Sequence, residues 1–307
     1  MNKQRFRRIG FSAVLILALL SCFVAACIPG GAENSWRRVF AFFGLNDFSS
    51  CADAAPFSVH VLDVGKADSI LVESRGNYML VDGGTADRGD DVVAYLKRRR
   101  VKTLDFVVNT HPDEDHIGGL KQVLQSFPVK RYFAPEIPQK LIPGSEEYRD
   151  VQAVLKGKKL NTEHPRAGSS YSLGRAQIQV LGPVSPGDST NNNSIVLKLT
   201  FGTTRFLLMG DAEKAEEDTL TASGRDLSAD VLKVGHHGSD TSTTQAFLKA
   251  VRPRYAAVSV GSDTSKLPKP VVLNRLYDLG ISSFRTDVDG TLIFLSDGRS
   301  VSVKTEK

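Results

Sequence analysis

The segment Asn109-Thr110-His111-Pro112-Asp113-Glu114-Asp115-His116-Ile117-Gly118-Gly119 places two histidines and three acidic residues within six positions, directly behind the apolar run 104–108. A strand that empties into a loop of imidazoles and carboxylates aims several donors at one or two divalent cations. The paired glycines are expected to let the chain turn tightly into a helix beginning near Leu120. A solvated acidic loop is the competing explanation for such a charge cluster. Histidine usage argues against it: of six histidines in 307 residues, four (His111, His116, His236 and His237) fall in two short clusters that each follow an apolar run. Ligand type and strand-end placement together predict a dinuclear metal centre.

The N-terminus has a separate logic. Lys3, Arg5, Arg7 and Arg8 precede the apolar stretch 9–26, the order of an export signal with a charged and then an apolar region. Cys22 and Cys27 each follow a small residue in a lipobox-like pattern, so lipidation, an uncleaved membrane anchor and ordinary signal cleavage are all open. Each outcome places the body of the chain outside the cytoplasm, and the first two tie it to a membrane. Residues 1–27 are therefore assigned to the signal or anchor, 28–56 to a tether containing a short amphipathic turn near 36–43, and 57–307 to the folded domain. No second long apolar span follows residue 30, so the chain is not expected to move DNA across a membrane itself.

The formal charge of +5 comes mostly from the signal. Without residues 1–26, which hold four basic and no acidic residues, 35 basic residues face 34 acidic ones. Global charge thus gives no support for a nucleic-acid track, and the basic runs 97–102 and 156–159 read as solvated helix ends. Cys51 is the only cysteine beyond the processing region, so no disulfide within the domain is expected.

Strand-like runs at 57–64, 69–73, 78–81 and 104–108 are interleaved with helices at 90–100 and 120–126. A second half follows, with strands at 176–181, 194–200, 204–209, 229–234, 255–260, 282–285, 291–295 and 300–303, and helices near 213–222, 243–250 and 270–279. Several neighbours are hairpin-linked, which fits two mixed sheets with helices outside them better than one parallel sheet. His60, in the alternating 57–61 strand, and His164, beside Pro165, are expected to be structural.

Four sites recur at strand ends: Asp82 in Val81-Asp82-Gly83-Gly84, the loop 111–116, Asp211 in Met209-Gly210-Asp211, and His236-His237-Gly238-Ser239. With these, and with Leu62-Asp63-Val64-Gly65, Asp68 and Asn192-Asn193-Ser194, the chain resembles the metallo-β-lactamase superfamily over about residues 57–304. Within it, the chain is most similar to the hydrolase domain of ComEC-type competence proteins and to their stand-alone secreted relatives. The resemblance implies a mixed α/β fold, the αβ/βα four-layer sandwich, and two divalent metal ions.

By the same resemblance, His111 and Asp113 serve one metal, Asp115 and His116 the other, and Asp211 bridges them. One histidine of the 236/237 pair completes the set; His236 is favoured, leaving His237 to meet substrate or to support a ligand from behind. Asp113 stands where the superfamily usually has histidine, which hardens the site toward manganese without excluding zinc. Asp115 is expected to orient the attacking water and Asp82 to support the loop; Asn193 or Ser194 could offer a hydrogen bond to a substrate oxyanion, though a turn before the strand 195–200 explains the asparagine run equally well. Two departures from the competence pattern, Gly65-Lys66-Ala67-Asp68 and Pro268-Lys269-Pro270, matter; Lys269 replaces a histidine at the site rim and suits phosphate.

The implied activity is that of an exported, membrane-tethered, metal-dependent hydrolase acting on a phosphodiester, with nucleic acid as one version of that substrate. The alternatives are a β-lactamase or lactonase acting on a small molecule, and a metal-binding envelope protein without turnover.

Overall fold

The computed structural model describes residues 55–261 and 266–307. The expected export segment, Cys22, Cys27, Cys51 and nearly all of the expected tether lie outside the described residues. Ala55–Lys307 forms one compact unit. No helix among the described residues is long and apolar enough to cross a membrane.

Each of two sheets begins as an antiparallel meander and continues as a parallel array. In the first, β1 (Phe57–Val61), β2 (Ile70–Ser74) and β3 (Asn77–Val81) pair antiparallel, and β3 then pairs parallel with β4 (Leu104–Val108), followed by β5 (Val129–Phe133) and β6 (Thr162–Glu163). In the second, β7 (Ser170–Leu173), β8 (Ala176–Gly182), β9 (Val196–Phe201) and β10 (Thr204–Leu208) form the meander. β11 (Val231–Lys233), β12 (Tyr255–Val258) and β13 (Ser282–Arg285) extend it in parallel. The terminal hairpin of β14 (Leu292–Ser296) and β15 (Val301–Thr305) returns to the first sheet beside β1, giving eight strands there and seven in the second.

Period-two alternation sorts the side chains into layers. Phe57, Val59, Val61, Ile70, Val72, Phe106 and Val108 meet Leu197, Leu199, Phe206 and Leu208 between the sheets. The opposite faces pack against helices. Helices α1 (Gly89–Arg98), α3 (Leu120–Ser126) and α4 (Glu146–Lys158) cover the first sheet through Val92, Leu96, Leu124 and Leu155, while the single turn α2 (Glu114–Ile117) sits inside the histidine loop. Helices α5 (Lys214–Ala222), α6 (Gln245–Val251) and α7 (Pro270–Asp278) cover the second through Leu220, Phe247 and Leu276. The result is the expected four-layer αβ/βα sandwich.

His60 is structural. It faces the helix side, fully buried, with Nε2 2.7 Å from Ser58 Oγ and Nδ1 2.8 Å from the Tyr95 hydroxyl. Burial, and secondarily the Arg99 charge, push its pKa down to about 3. The unfolded chain therefore binds a proton that the folded one refuses. This contribution to stability is present above the unfolded value near 6.5 and is lost as pH falls toward 3, by about 1.4 kcal/mol per pH unit. His60→Gln is expected to flatten the acid limb of urea-denaturation stability by about that slope between pH 6 and 4; an unchanged slope would contradict this assignment.

A candidate metal centre where the two sheets meet

Because β3 runs parallel to β4 and β10 parallel to β11, the carboxyl ends of four strands open at one edge of the sandwich, the usual place for a site in parallel sheets. Asp82 follows β3, His111 follows β4, Asp211 lies just beyond β10 and the 236/237 pair just beyond β11. A backbone bond from Ile195 N–H to Thr110 O, 2.9 Å, helps join the two halves.

The loop geometry follows from Asp82. This residue adopts a left-handed φ of 60° and accepts from Thr110 N–H (2.7 Å), Thr110 Oγ1 (2.6 Å) and Asn109 Nδ2 (3.3 Å). Its Oδ2 also lies 2.8 Å from His116 Nδ1, so that nitrogen carries the hydrogen and Nε2 is left as an acceptor facing inward. His111 Nδ1 lies 3.1 Å from Thr110 Oγ1, whose own hydrogen is committed to Asp82. His237 Nδ1 lies 2.9 Å from the Ser259 carbonyl, which can only accept. In all three imidazoles, Nε2 is the free face.

These faces converge. His116 Nε2 is 3.2 Å from Asp211 Oδ1, and His237 Nε2 is 3.5 Å from Asp211 Oδ2 and 3.4 Å from Asp115 Oδ2. His111 Nε2 lies 3.7 Å from Asp113 Oδ2. Two overlapping sets, His111-His116-Asp211 and Asp115-His116-His237, each present ligand atoms within 4.8 Å of one another. The Nε2 atoms of His111, His116 and His237, together with Asp211 Oδ1, are buried without a hydrogen-bond partner among the described residues. A buried polar atom left so costs on the order of 1–3 kcal/mol. Four at one point are the donor set of a divalent cation, and the residues fit such an ion.

The electrostatics are mutually supporting. Burial works against charge on His116, but the carboxylates of Asp211 and Asp82 outweigh it and hold its pKa well above the ordinary value, so Nε2 would act as a ligand only where a cation takes the place of its proton. Burial likewise opposes the Asp211 carboxylate, yet the neighbouring His237 and His116 hold it well below the usual range. Asp115 is lowered in the same way, against burial, by His237 and His116. For His111, burial and then the neighbouring His116 lower the pKa, favouring the neutral, ligating form.

Several expectations need correction. His237, not the favoured His236, turns its ring into the buried group; His236 stands at the rim with Nε2 3.8 Å from Asp211 and Nδ1 3.3 Å from Glu213 Oε1. The reason lies in the turn: both residues are left-handed, at φ 48° and 52°, and the Ser259 carbonyl captures only the second ring. Asn193 is fully buried and its amide is spent on the 187–189 loop, accepting from Gly187 N–H and donating to Ser189 O at 2.6 Å. Ser194 Oγ accepts from Asp211 N–H at 3.1 Å and supports that ligand from behind. Both side chains are thus engaged within the protein. Lys269 does sit near the rim, its N–H donating 2.9 Å to Gly238 O.

Gly118 and Gly119 have right-handed angles that any residue adopts. They are needed for space: a Cβ at Gly119 would lie 2.1 Å from Gly83 O and 2.9 Å from Gly89 Cα. Gly119→Ala is expected to destabilise the protein by about 3 kcal/mol or more, because both obstacles are backbone. A shift under 1 kcal/mol in urea denaturation would contradict that packing argument.

Three further positions beside the candidate site carry weaker sequence signals. Lys233, 1 % exposed, interrupts the run Val231-Leu232-Lys233-Val234 and pairs with buried Asp68 at 2.9 Å. Asp68 Oδ1 lies 3.6 Å from His237 Nδ1, and its N–H donates to Asp115 O. Lys66 Nζ sits 2.6 Å from Asp115 Oδ2. The lone lysine inside an apolar strand was the available clue.

Comparison with known proteins agrees with this geometry. The model of the metallo-beta-lactamase superfamily matches residues 62–262. The chain is 31% identical to ComE operon protein 3 of Bacillus subtilis (strain 168) over 254 residues, covering 76% of this chain and 32% of that protein. It is 32% identical over 241 residues to competence protein ComA of Neisseria gonorrhoeae, covering 77% and 32%. It therefore spans about a third of the length of these curated relatives. Among solved structures, CmlA, a diiron beta-hydroxylase from Streptomyces venezuelae, shares the fold with a TM-score of 0.53 at 14% identity, covering 87% of this chain and 60% of that one. With a family model spanning both sheets and its histidine and aspartate motifs gathered at one edge, the chain belongs to the metallo-β-lactamase superfamily.

Proposed function

We propose that this chain is an exported, membrane-tethered hydrolase that holds two divalent cations, zinc or manganese, and cleaves phosphodiester bonds. The observation that carries the reading is the convergence of three buried imidazole Nε2 atoms and Asp211 Oδ1, none hydrogen-bonded among the described residues. Beside them opens a cleft of about 530 Å³ lined by Lys66, Asp113, Glu114 and Asp115. His111, Asp113 and Asp211 would hold one ion, and Asp115, His116, Asp211 and His237 the other. Such ions lower the pKa of water toward about 7 and polarise a substrate oxygen.

The chain's own groups do the rest. Asp82, Ser259 and Thr110 fix the imidazole tautomers so that Nε2 stays inward. Asp115, at the border between the buried ligands and the cleft, is placed to orient water. Lys66, in the lining of the cleft, favours an anionic substrate over a neutral lactam or lactone. Relatives named for competence support a phosphodiester of nucleic acid as the substrate class. Export and tethering rest on the N-terminal charge and hydropathy order, and lipid labelling of Cys22→Ser and Cys27→Ser variants tests them.

The purified full chain is expected to hydrolyse bis(p-nitrophenyl) phosphate with added zinc or manganese, and to turn over a chromogenic β-lactam at least tenfold more slowly. Preferential β-lactam turnover would overturn the substrate assignment. Metal binding without turnover of any phosphodiester, lactam or lactone would make this a metal-binding protein instead.

A further inference from the structure

Next to the metal centre, further along the carboxyl ends of the first sheet's parallel strands, lies a second and chemically different cavity. Its volume is about 160 Å³. Asn109 beyond β4, Ala134 and Pro135 beyond β5, and Thr162 of β6 form one side, while Tyr148 and Gln152 of α4 face them. Ile137 and His164 complete the lining, His164 Nδ1 lying 3.0 Å from Ala134 O, and among the described residues that line the cavity there is no carboxylate, lysine or arginine. The charged cleft lies on the other side of Pro112, which lines both spaces. Tyr132, fully buried, also lines the cavity, and its hydroxyl has no hydrogen-bond partner among the described residues.

We infer that this cavity is a subsite for a pyrimidine base, the uncharged planar part of a nucleotide substrate whose phosphate lies in the adjoining cleft. The inference rests on the phosphodiester reading above for the phosphate, and on the cavity alone for the base. A cavity of about 150 Å³ holds a single six-membered ring, so the volume suits one ring better than the fused pair of a purine. Tyr148 and the prolines offer flat apolar walls, and base–aromatic stacking contributes about 1–3 kcal/mol. Ring carbonyl and N–H groups call for neutral partners, which the Gln152 amide and the Thr162 hydroxyl, both on lining residues, supply. The placement follows the general rule that ligands occupy the crevice outside the carboxyl ends of parallel strands.

Saturation-transfer NMR on the purified full chain tests this with thymidine and deoxyguanosine, neither of which carries a phosphate. The subsite predicts saturable transfer to thymidine, at least tenfold weaker binding of deoxyguanosine, and at least fivefold weaker thymidine binding in Gln152→Leu, which keeps the side-chain volume. Tyr148→Ala should weaken it further, with thermal melts recorded for both variants to exclude misfolding. No transfer to thymidine, or equal transfer to wild type and a well-folded Gln152→Leu, would overturn the inference. Thymidine binding without cleavage of any phosphodiester would uphold the subsite and sink the hydrolase reading; cleavage without nucleoside binding would do the reverse.

Discussion

Lys233→Met is expected to destabilise the protein by about 3–5 kcal/mol, the cost of leaving one partner of a buried ion pair alone. Lys233 and Asp68 are each 1 % exposed and 2.9 Å apart. Lys233 Nζ also donates to Val234 O at 2.9 Å, so the methionine would strand a carbonyl as well. Burial opposes the Asp68 carboxylate, and Lys233 is the first group that holds it ionised. Removing the charge on both sides should therefore help: the double variant Asp68→Asn/Lys233→Met is expected to regain more than half of the loss in urea denaturation. Additive losses would show that the lysine serves packing rather than charge.

The second large effect separates the adjacent histidines. His237→Ala removes a buried Nε2 lying between Asp115 and Asp211, whereas His236→Ala removes a rim imidazole 3.8 Å from Asp211. His237→Ala is expected to cost at least a hundredfold in metal affinity, measured by chelator competition, and His236→Ala less than tenfold. Equal losses, or the opposite order, would mean that the turn carries the other ring inward when metal binds.

Much of the sandwich is legible because its strands alternate and its helices have an apolar stripe. β4 and α3 coincide with the expected 104–108 and 120–126, and α1 begins one residue before the expected 90–100 helix and ends two residues short of it. α4 is harder to see, since only Val151 and Leu155 are fully buried along its 13 residues, although Ser145 caps it and Glu146 and Glu147 open it. β5 is hidden by Lys130 and Arg131. Arg131 lies across the faces of Phe106, Phe133 and Tyr171 at 4.7–5.5 Å, so a charged residue covers an aromatic cluster where the pattern suggests loop. The expected 57–64 strand stops at Val61, where the chain leaves the sheet to carry Lys66 and Asp68 to the site.

The site divides in the same way. Residue type and strand-end position pick out His111, Asp113, Asp115, His116 and Asp211, because few other roles bring imidazole and carboxylate together behind apolar runs. Orientation is not written locally. Which ring of the 236/237 pair points inward depends on the Ser259 carbonyl, 22 positions away, whereas Asn193 spends its amide on the adjoining 187–189 loop, in keeping with a turn ahead of the following strand.

Among the described residues, His116 belongs to each cluster whose ligand atoms lie within 4.8 Å of one another, so the metal content of the purified full chain, with His116→Ala beside it, tests the central claim most directly. Two equivalents of zinc or manganese in the wild type, falling to one or none in a His116→Ala protein of unchanged circular dichroism, is the predicted result. A wild type that takes up no metal when both ions are supplied, or a variant that keeps two equivalents, would contradict it.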